Sequence, residues 1–218
     1  MQKITVSASL LNADLTRLAD AAAFAEAAGA DMLHFDVMDG SFVDNISFGL
    51  PVLSSLRKHT ALPIDTHLMI ENPLHYAPRF AEAGADLLSF HIESQSDPAE
   101  TVRAIHDCGI RAGIALSPDT PTETVFPYLE ALHPDDFVLL MTVYPGRGGQ
   151  AFMPQVLPKI RALRERLDAE QLPVNLEVDG GINTETGRLC REAGADYLVT
   201  GTFLFRSDDP CAACASLR

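Results

Sequence analysis

A few short strings hold most of the residues that could do chemistry. In His34-Phe35-Asp36-Val37-Met38-Asp39-Gly40, alternation places His34, Asp36 and Met38 on one face of an extended chain. Asp65, His67 and Met69 repeat that phase, Glu177-Val178-Asp179 adds two carboxylates, and Met141 ends an apolar run. Imidazoles and carboxylates projecting into one mouth are divalent-metal chemistry. His34, Asp36, His67 and Asp179 would offer two nitrogen and two oxygen ligands, a set suited to zinc, iron(II), manganese or cobalt. Taken singly, each reads equally well as a hydrogen-bonded polar residue at a strand end. In matching phase they point to a site, although spacing alone does not make them converge.

Glycine marks a second half. Pro145-Gly146-Arg147-Gly148-Gly149-Gln150, Asp179-Gly180-Gly181 and Gly201-Thr202 each follow an apolar run. Glycines let the backbone approach an anion closely, and the helix start that follows offers free N–H groups. One such turn is an ordinary loop; three after consecutive strands point to phosphate. The lysines are Lys3, Lys58 and Lys159, so backbone amides rather than side chains must do most of the anion binding.

The elements that position these residues follow from an internal repeat. AGADMLHFD begins at Ala28, AGADLLSFH at Ala83 and AGADYLVTG at Ala193, with a weaker copy, HPDDFVLLMTV, from His133. The glycine intervals are 84 − 29 = 55 and 194 − 84 = 110. Each copy reads as a helix end, a glycine suited to a left-handed cap, then a buried strand. A helix and strand need about 25–30 residues, so one interval holds two such units and the chain holds eight. The intervening strands are placed at 3–9, 63–69, 110–116 and 173–179. Strands alternating with helices throughout predict a parallel sheet, closed as a (β/α)₈ TIM barrel forming a single domain over 1–218. An open doubly wound sheet is the alternative. In a barrel the strings above fall at the C-terminal strand ends, where active sites lie.

The net charge of −14 opposes nucleic acid and anionic membrane as partners. No apolar run reaches the length of a membrane span, and the first fifteen residues do not read as a secretion signal, so a cytoplasmic protein is expected. Cys108 and Cys190 are expected in helices as inert buried thiols. Cys211 and Cys214 form a C-x-x-C without a second pair, which is weak evidence for zinc or redox work.

With these residues in view, the sequence resembles ribulose-phosphate 3-epimerases over nearly its whole length. H-F-D-V-M-D-G stands at His34–Gly40, H-L-M-I-E-N-P at His67–Pro73, P-G-x-G-G-Q at Pro145–Gln150 and E-V-D-G-G at Glu177–Gly181. The resemblance implies one divalent ion per subunit, Zn2+ ahead of Fe2+, Mn2+ or Co2+, held by His34, Asp36, His67 and Asp179. It makes Asp36 and Asp179 the two acid/base groups, one on each face of a sugar phosphate, and has Ser9 and His67 contact the substrate. Amides around Gly146, Arg147, Gly148, Gly149, Gly180, Gly181, Gly201 and Thr202 would hold the phosphate. Met38, Met69 and Met141 would form an apolar collar, though core packing explains them equally well. The implied reaction removes the C3 proton of a ketose phosphate to give an enediolate, stabilised by the ion, and reprotonates the opposite face. A homo-oligomer, dimer or hexamer, is expected.

Departures from the family lie off the ligand set. Tyr144 and Arg147 stand where a small polar or acidic residue and Phe are frequent; Ser41, Ala8, Asn12 and Asp44 replace His, Pro, Ser and Pro. These leave the chemistry and put the substrate in question, a pentulose phosphate leading over a hexulose phosphate such as allulose 6-phosphate. Arg147 reads as a phosphate contact or as a solvated surface charge. A Schiff-base aldolase would need a lysine at a C-terminal strand end, and decarboxylases of similar fold carry D-x-K-x-x-D where Asp36-Val37-Met38-Asp39 stands here. A non-catalytic sugar-phosphate-binding barrel would not require both Asp36 and Asp179. His91 and Glu93 are expected beside the site rather than in the catalytic set, and His59, His75, His106 and His133 at the surface.

Overall fold

The computed structural model describes residues 4–218; Lys3, at the start of the strand expected over 3–9, lies outside them. Eight strands run in sequence order: β1 (Thr5–Ser9), β2 (Met32–Met38), β3 (Ile64–Met69), β4 (Leu87–His91), β5 (Arg111–Leu116), β6 (Phe137–Met141), β7 (Asn175–Asp179) and β8 (Tyr197–Thr200). Every neighbouring pair is parallel, and β8 returns to β1, so the sheet is a closed barrel and not an open one. Around it lie α1 (Leu18–Ala27), α2 (Leu50–Leu56), α3 (Pro73–Ala83), α4 (Pro98–Asp107), α5 (Leu157–Ala169), α6 (Thr184–Ala193), α7 (Thr202–Phe205) and α8 (Pro210–Ala215).

The repeat does mechanical work at the N-terminal ends of the strands. Gly84 and Gly194 cap α3 and α6 at φ +111°, and Gly29 follows α1 at φ +88°, conformations that a Cβ would oppose. The aspartate two residues later then reaches back to the preceding strand. Asp31 accepts from Val6 N–H (2.9 Å), Asp86 from Ile64 N–H (2.8 Å) and Asp196 from Leu176 N–H (2.8 Å). Asp136, in the weaker copy, accepts from Ala112 N–H (2.8 Å). A basic side chain backs each carboxylate: Arg218, Arg57, Arg164 and, for Asp136, His106. The period spans two units because each lock joins an odd strand to the even strand after it.

One unit departs from the alternation. Between β5 and β6 the expected α-helix is replaced by 3-10 turns at Thr122–Thr124 and Phe126–Ala131. Pro118, Pro121 and Pro127 remove N–H donors throughout that stretch, and a longer helix cannot propagate through them. Cys190 is buried as expected, but Cys108 is exposed, because it caps the end of α4 rather than facing the core. Cys211 and Cys214 both lie on α8 as free thiols.

Strand alternation divides the buried residues into two cores. Val6, Leu33, Phe35, Leu68 and Phe90 point outward and pack with helix residues such as Leu53, Ile105 and Leu163. Met32, Leu87, Phe137, Leu139 and Tyr197 fill the barrel itself. His34, Asp36, Asp65, His67 and Glu177 are buried in that same inward phase. This polar interior is what a functional barrel requires and a purely structural one would avoid.

Candidate active site

Register brings the first two strings together. His34 stands level with Asp65, and Asp36 with His67, across the β2–β3 pair. His34 Nε2 lies 3.2 Å from Asp36 Oδ1 and 3.9 Å from Asp179 Oδ2, while His67 Nδ1 lies 3.3 Å from Asp36 Oδ1. One donor atom from each of His34, Asp36, His67 and Asp179 falls within 4.8 Å of the others. Ser9 Oγ donates to the remaining Asp36 oxygen, Oδ2, at 2.9 Å.

Two features show that this donor set fits a divalent ion. His34 Nε2 is fully buried and makes no hydrogen bond, although Asp36 Oδ1 lies 3.2 Å away. Its other nitrogen, Nδ1, is engaged by Asp65 Oδ2 at 2.5 Å, which leaves Nε2 directed into the cluster. The electrostatics agree. Burial works against charge on His34, but the Asp36 and Asp65 carboxylates outweigh it and hold the imidazole pKa well above its usual value. Burial likewise opposes ionised Asp36, and His34 above all overcomes it, holding Asp36 far below the ordinary carboxylate range. The carboxylates around His34 thus favour positive charge at the centre of the cluster.

Asp179 is different. Burial, reinforced by the Asp36 and Asp65 carboxylates and only partly offset by His34, pushes it up to about 7. Its side chain keeps 17% exposure, toward the cavity. Glu177, two residues earlier, is wholly buried and displaced well upward by burial and by Asp65, and neither of its oxygens has a partner. Sequence phase had placed Asp65 and Glu177 beside the ligands without a role; the structure makes Asp65 the support of His34. Asp39 is spent elsewhere, accepting from the amides of Ser41, Phe42 and Glu71.

Above the cluster a cavity of about 490 Å³ opens at the C-terminal end of the barrel. Asp36 and Asp179 form part of its floor; Ser9, Met38, Met69 and Met141 line it; and Gly146, Arg147, Gly148, Gly149, Gly180, Gly181, Gly201 and Thr202 make the opposite wall. His34 and His67 lie beneath and do not reach this lining. The three methionines are buried as well as lining, so packing and a collar are the same position. The wall requires its glycines. A Cβ on Gly148 or Gly201 would sit 2.3 Å from the Asn12 side chain, and Gly181, at φ +66°, would meet the Phe152 backbone at 2.6 Å. Asn12 accepts from Thr202 Oγ1 at 2.9 Å and so stitches the wall together. In the sequence it stands only as a replaced serine, because its partner is 190 positions away.

The loop after β6 is tied down at several points. Asn45 Nδ2 donates to Gly146 O (2.8 Å), Gln150 Nε2 to Tyr144 O (2.6 Å) and Tyr144 OH to Asp119 (3.0 Å). Arg147 is exposed at the rim and makes no ion pair among the described residues. A second His/Asp grouping, His106, His133 and Asp136, sits at the far end of the barrel. There the Asp136 carboxylate is already saturated by Ala112 N–H, His133 N–H and His106, which is the fourth copy of the repeat's lock. His106 is thus half-buried rather than a plain surface residue, whereas His59, His75 and His133 are exposed as expected.

Comparison with known proteins decides the family. The model of the ribulose-phosphate 3-epimerase family matches residues 5–205. The chain belongs to this family. Ribulose-phosphate 3-epimerase of Mycobacterium tuberculosis is 49% identical over 213 residues, covering 98% of this chain and 91% of the relative. The Bacillus subtilis enzyme of the same name is 43% identical over 216 residues, covering 99% and 98%. Among solved structures, KGPDC from Streptococcus mutans superposes with a TM-score of 0.74 at 16% identity, over 99% of this chain and 96% of that one. At that identity the likeness concerns the barrel alone. Among the described residues, no helix is long and apolar enough to cross a membrane.

Proposed function

We propose that this chain interconverts D-ribulose 5-phosphate and D-xylulose 5-phosphate by inversion at C3, with Asp36 and Asp179 as the acid/base pair. One observation carries the reading: two carboxylates from separate strands meet on the floor of a glycine-walled cavity with their proton affinities pushed apart. Asp36 is held ionised and Asp179 sits up at about 7. Inversion needs a base on one face of C3 and an acid on the other, and such a divided pair supplies both.

In one direction Asp36 takes the C3 proton, the C–H electrons move toward the C2 carbonyl to give the enediolate, and Asp179 returns a proton to the opposite face. The reverse reaction exchanges the roles. Ser9, donating to Asp36 Oδ2, fixes the carboxylate's orientation. Met38, Met69 and Met141 keep water from the reacting carbons. Backbone amides around Gly146–Gly149, Gly180–Gly181 and Gly201–Thr202 bind the phosphate, which answers the scarcity of lysine. His34, Asp36, His67 and Asp179 would hold a divalent ion, zinc in our assignment, which would supply Lewis-acid stabilisation of developing negative charge.

A hexulose phosphate such as allulose 6-phosphate is the second reading, favoured by Tyr144 and Arg147 at the rim. Comparing kcat/KM for the two substrates separates them. One extra carbon is worth about ten-fold or more in discrimination, so ribulose 5-phosphate should lead by at least that factor, and a preference for allulose 6-phosphate would reverse the assignment.

A further inference from the structure

Two polar residues near the cluster, one buried and one partly exposed, are used by neither the acid/base pair nor the phosphate wall. His91 ends β4 with no exposure, and its Nε2 lies 3.0 Å from His67 Nε2. Its Nδ1 lies 2.9 Å from Glu93 Oε2. The other Glu93 oxygen accepts from Ser117 N–H at 2.8 Å and from the Thr120 hydroxyl. That loop is fixed in turn by Lys159 Nζ, which donates to the carbonyls of Ser117 (3.1 Å), Pro118 (2.9 Å) and Thr120 (2.5 Å).

The proton positions along this line follow from counting donors. A carboxylate surrounded by donors can only accept, so His91 Nδ1 must carry the proton. Neutral His91 then has a lone pair on Nε2, and the 3.0 Å contact requires His67 Nε2 to donate. His67 therefore has its own lone pair on Nδ1, which faces Asp36 Oδ1 at 3.3 Å. Two lone pairs facing each other at that distance repel, and a cation between them removes the repulsion. The opposite order would give His67 Nδ1 the proton and turn an unprotonated His91 nitrogen toward the Glu93 carboxylate. Glu93 decides between the two.

We propose that Glu93 and His91 are positioning residues that set the tautomer of His67 and keep its Nδ1 lone pair turned toward the metal cluster. The inference rests on the metal reading given above. A histidine ligand is normally held by a partner on its far nitrogen, and loss of that partner costs about 10–100-fold in metal affinity. His34 has Asp65 in that role; His67 has a two-residue relay.

The test is Co2+ titration of the metal-free full chain against a competing chelator, with the visible d–d bands followed alongside. Wild type, Glu93→Ala, His91→Leu and His91→Gln are compared, and circular-dichroism melts check folding. Glu93→Ala and His91→Leu should each bind Co2+ about 10–100-fold more weakly, with altered bands. His91→Gln, whose amide oxygen can still accept from His67 Nε2–H, should recover part of the loss. Should His91→Leu fail to fold, Glu93→Ala decides alone, since Glu93 is partly exposed at the end of the relay. Folded Glu93→Ala with wild-type affinity and bands overturns the relay and leaves the metal site standing. Wild type that binds no Co2+ overturns the metal reading, and the relay with it.

Discussion

At the scale of single residues, the proposed function rests on four donors and the asymmetry between two of them. Asp36→Asn and Asp179→Asn should each lower turnover by about 10²–10⁴-fold, because each removes one acid/base group as well as a ligand atom. Steady-state kinetics checks this, and near-normal epimerisation by Asp179→Asn would exclude a two-face mechanism. Chelation should abolish activity, and one divalent ion per chain should restore it, checked by elemental analysis alongside the assay; full activity in verified metal-free protein would remove the ion from the mechanism. These residues were legible in the sequence because each string is contiguous and strand alternation puts its polar members in one phase. Their supports, Asp65, His91 and Glu93, were legible only as residues near the site, without partners. Asp65 reaches His34, and Glu93 reaches Ser117 and Thr120, from other strands and loops, and no local pattern links them. Tautomers, on which the relay argument turns, are defined only once both nitrogens of a ring have named partners.

At the scale of elements, the loops after β6, β7 and β8 make a wall whose glycines are required by close approach. Gly181→Ala should raise KM for the sugar phosphate with a smaller change in kcat, since the added methyl meets the Phe152 backbone and displaces the wall rather than the cluster. Arg147→Phe tests the one charged side chain in that loop. If the guanidinium grips phosphate, KM should rise about ten-fold with kcat nearly unchanged, the worth of a charge-assisted contact. An unchanged KM would return Arg147 to the solvated surface. The glycines were visible as a type, but their reason, Asn12 packed between Gly148 and Gly201, is a tertiary fact. The unit between β5 and β6 was misread for the converse reason. Strand periodicity implied a helix there, and the prolines at 118, 121 and 127 outweighed the pattern.

At the scale of the whole molecule, the 55-residue period is the visible trace of four locks at the N-terminal face, each an aspartate holding the backbone of the preceding odd strand. Asp196→Ala should strand the buried Leu176 N–H and cost about 1–3 kcal/mol, several degrees of Tm, with kcat and KM unchanged. A thermal melt paired with kinetics checks that separation of duties: stability at one end of the barrel, chemistry at the other. The central claim is that this mouth inverts C3 of a ketose phosphate by proton exchange between two carboxylates. Incubating metal-loaded protein with D-ribulose 5-phosphate in deuterated water and following C3 by proton NMR tests it most directly. Deuterium should appear at C3 as D-xylulose 5-phosphate forms, whereas conversion without label at C3, or no conversion and no exchange, would contradict the account.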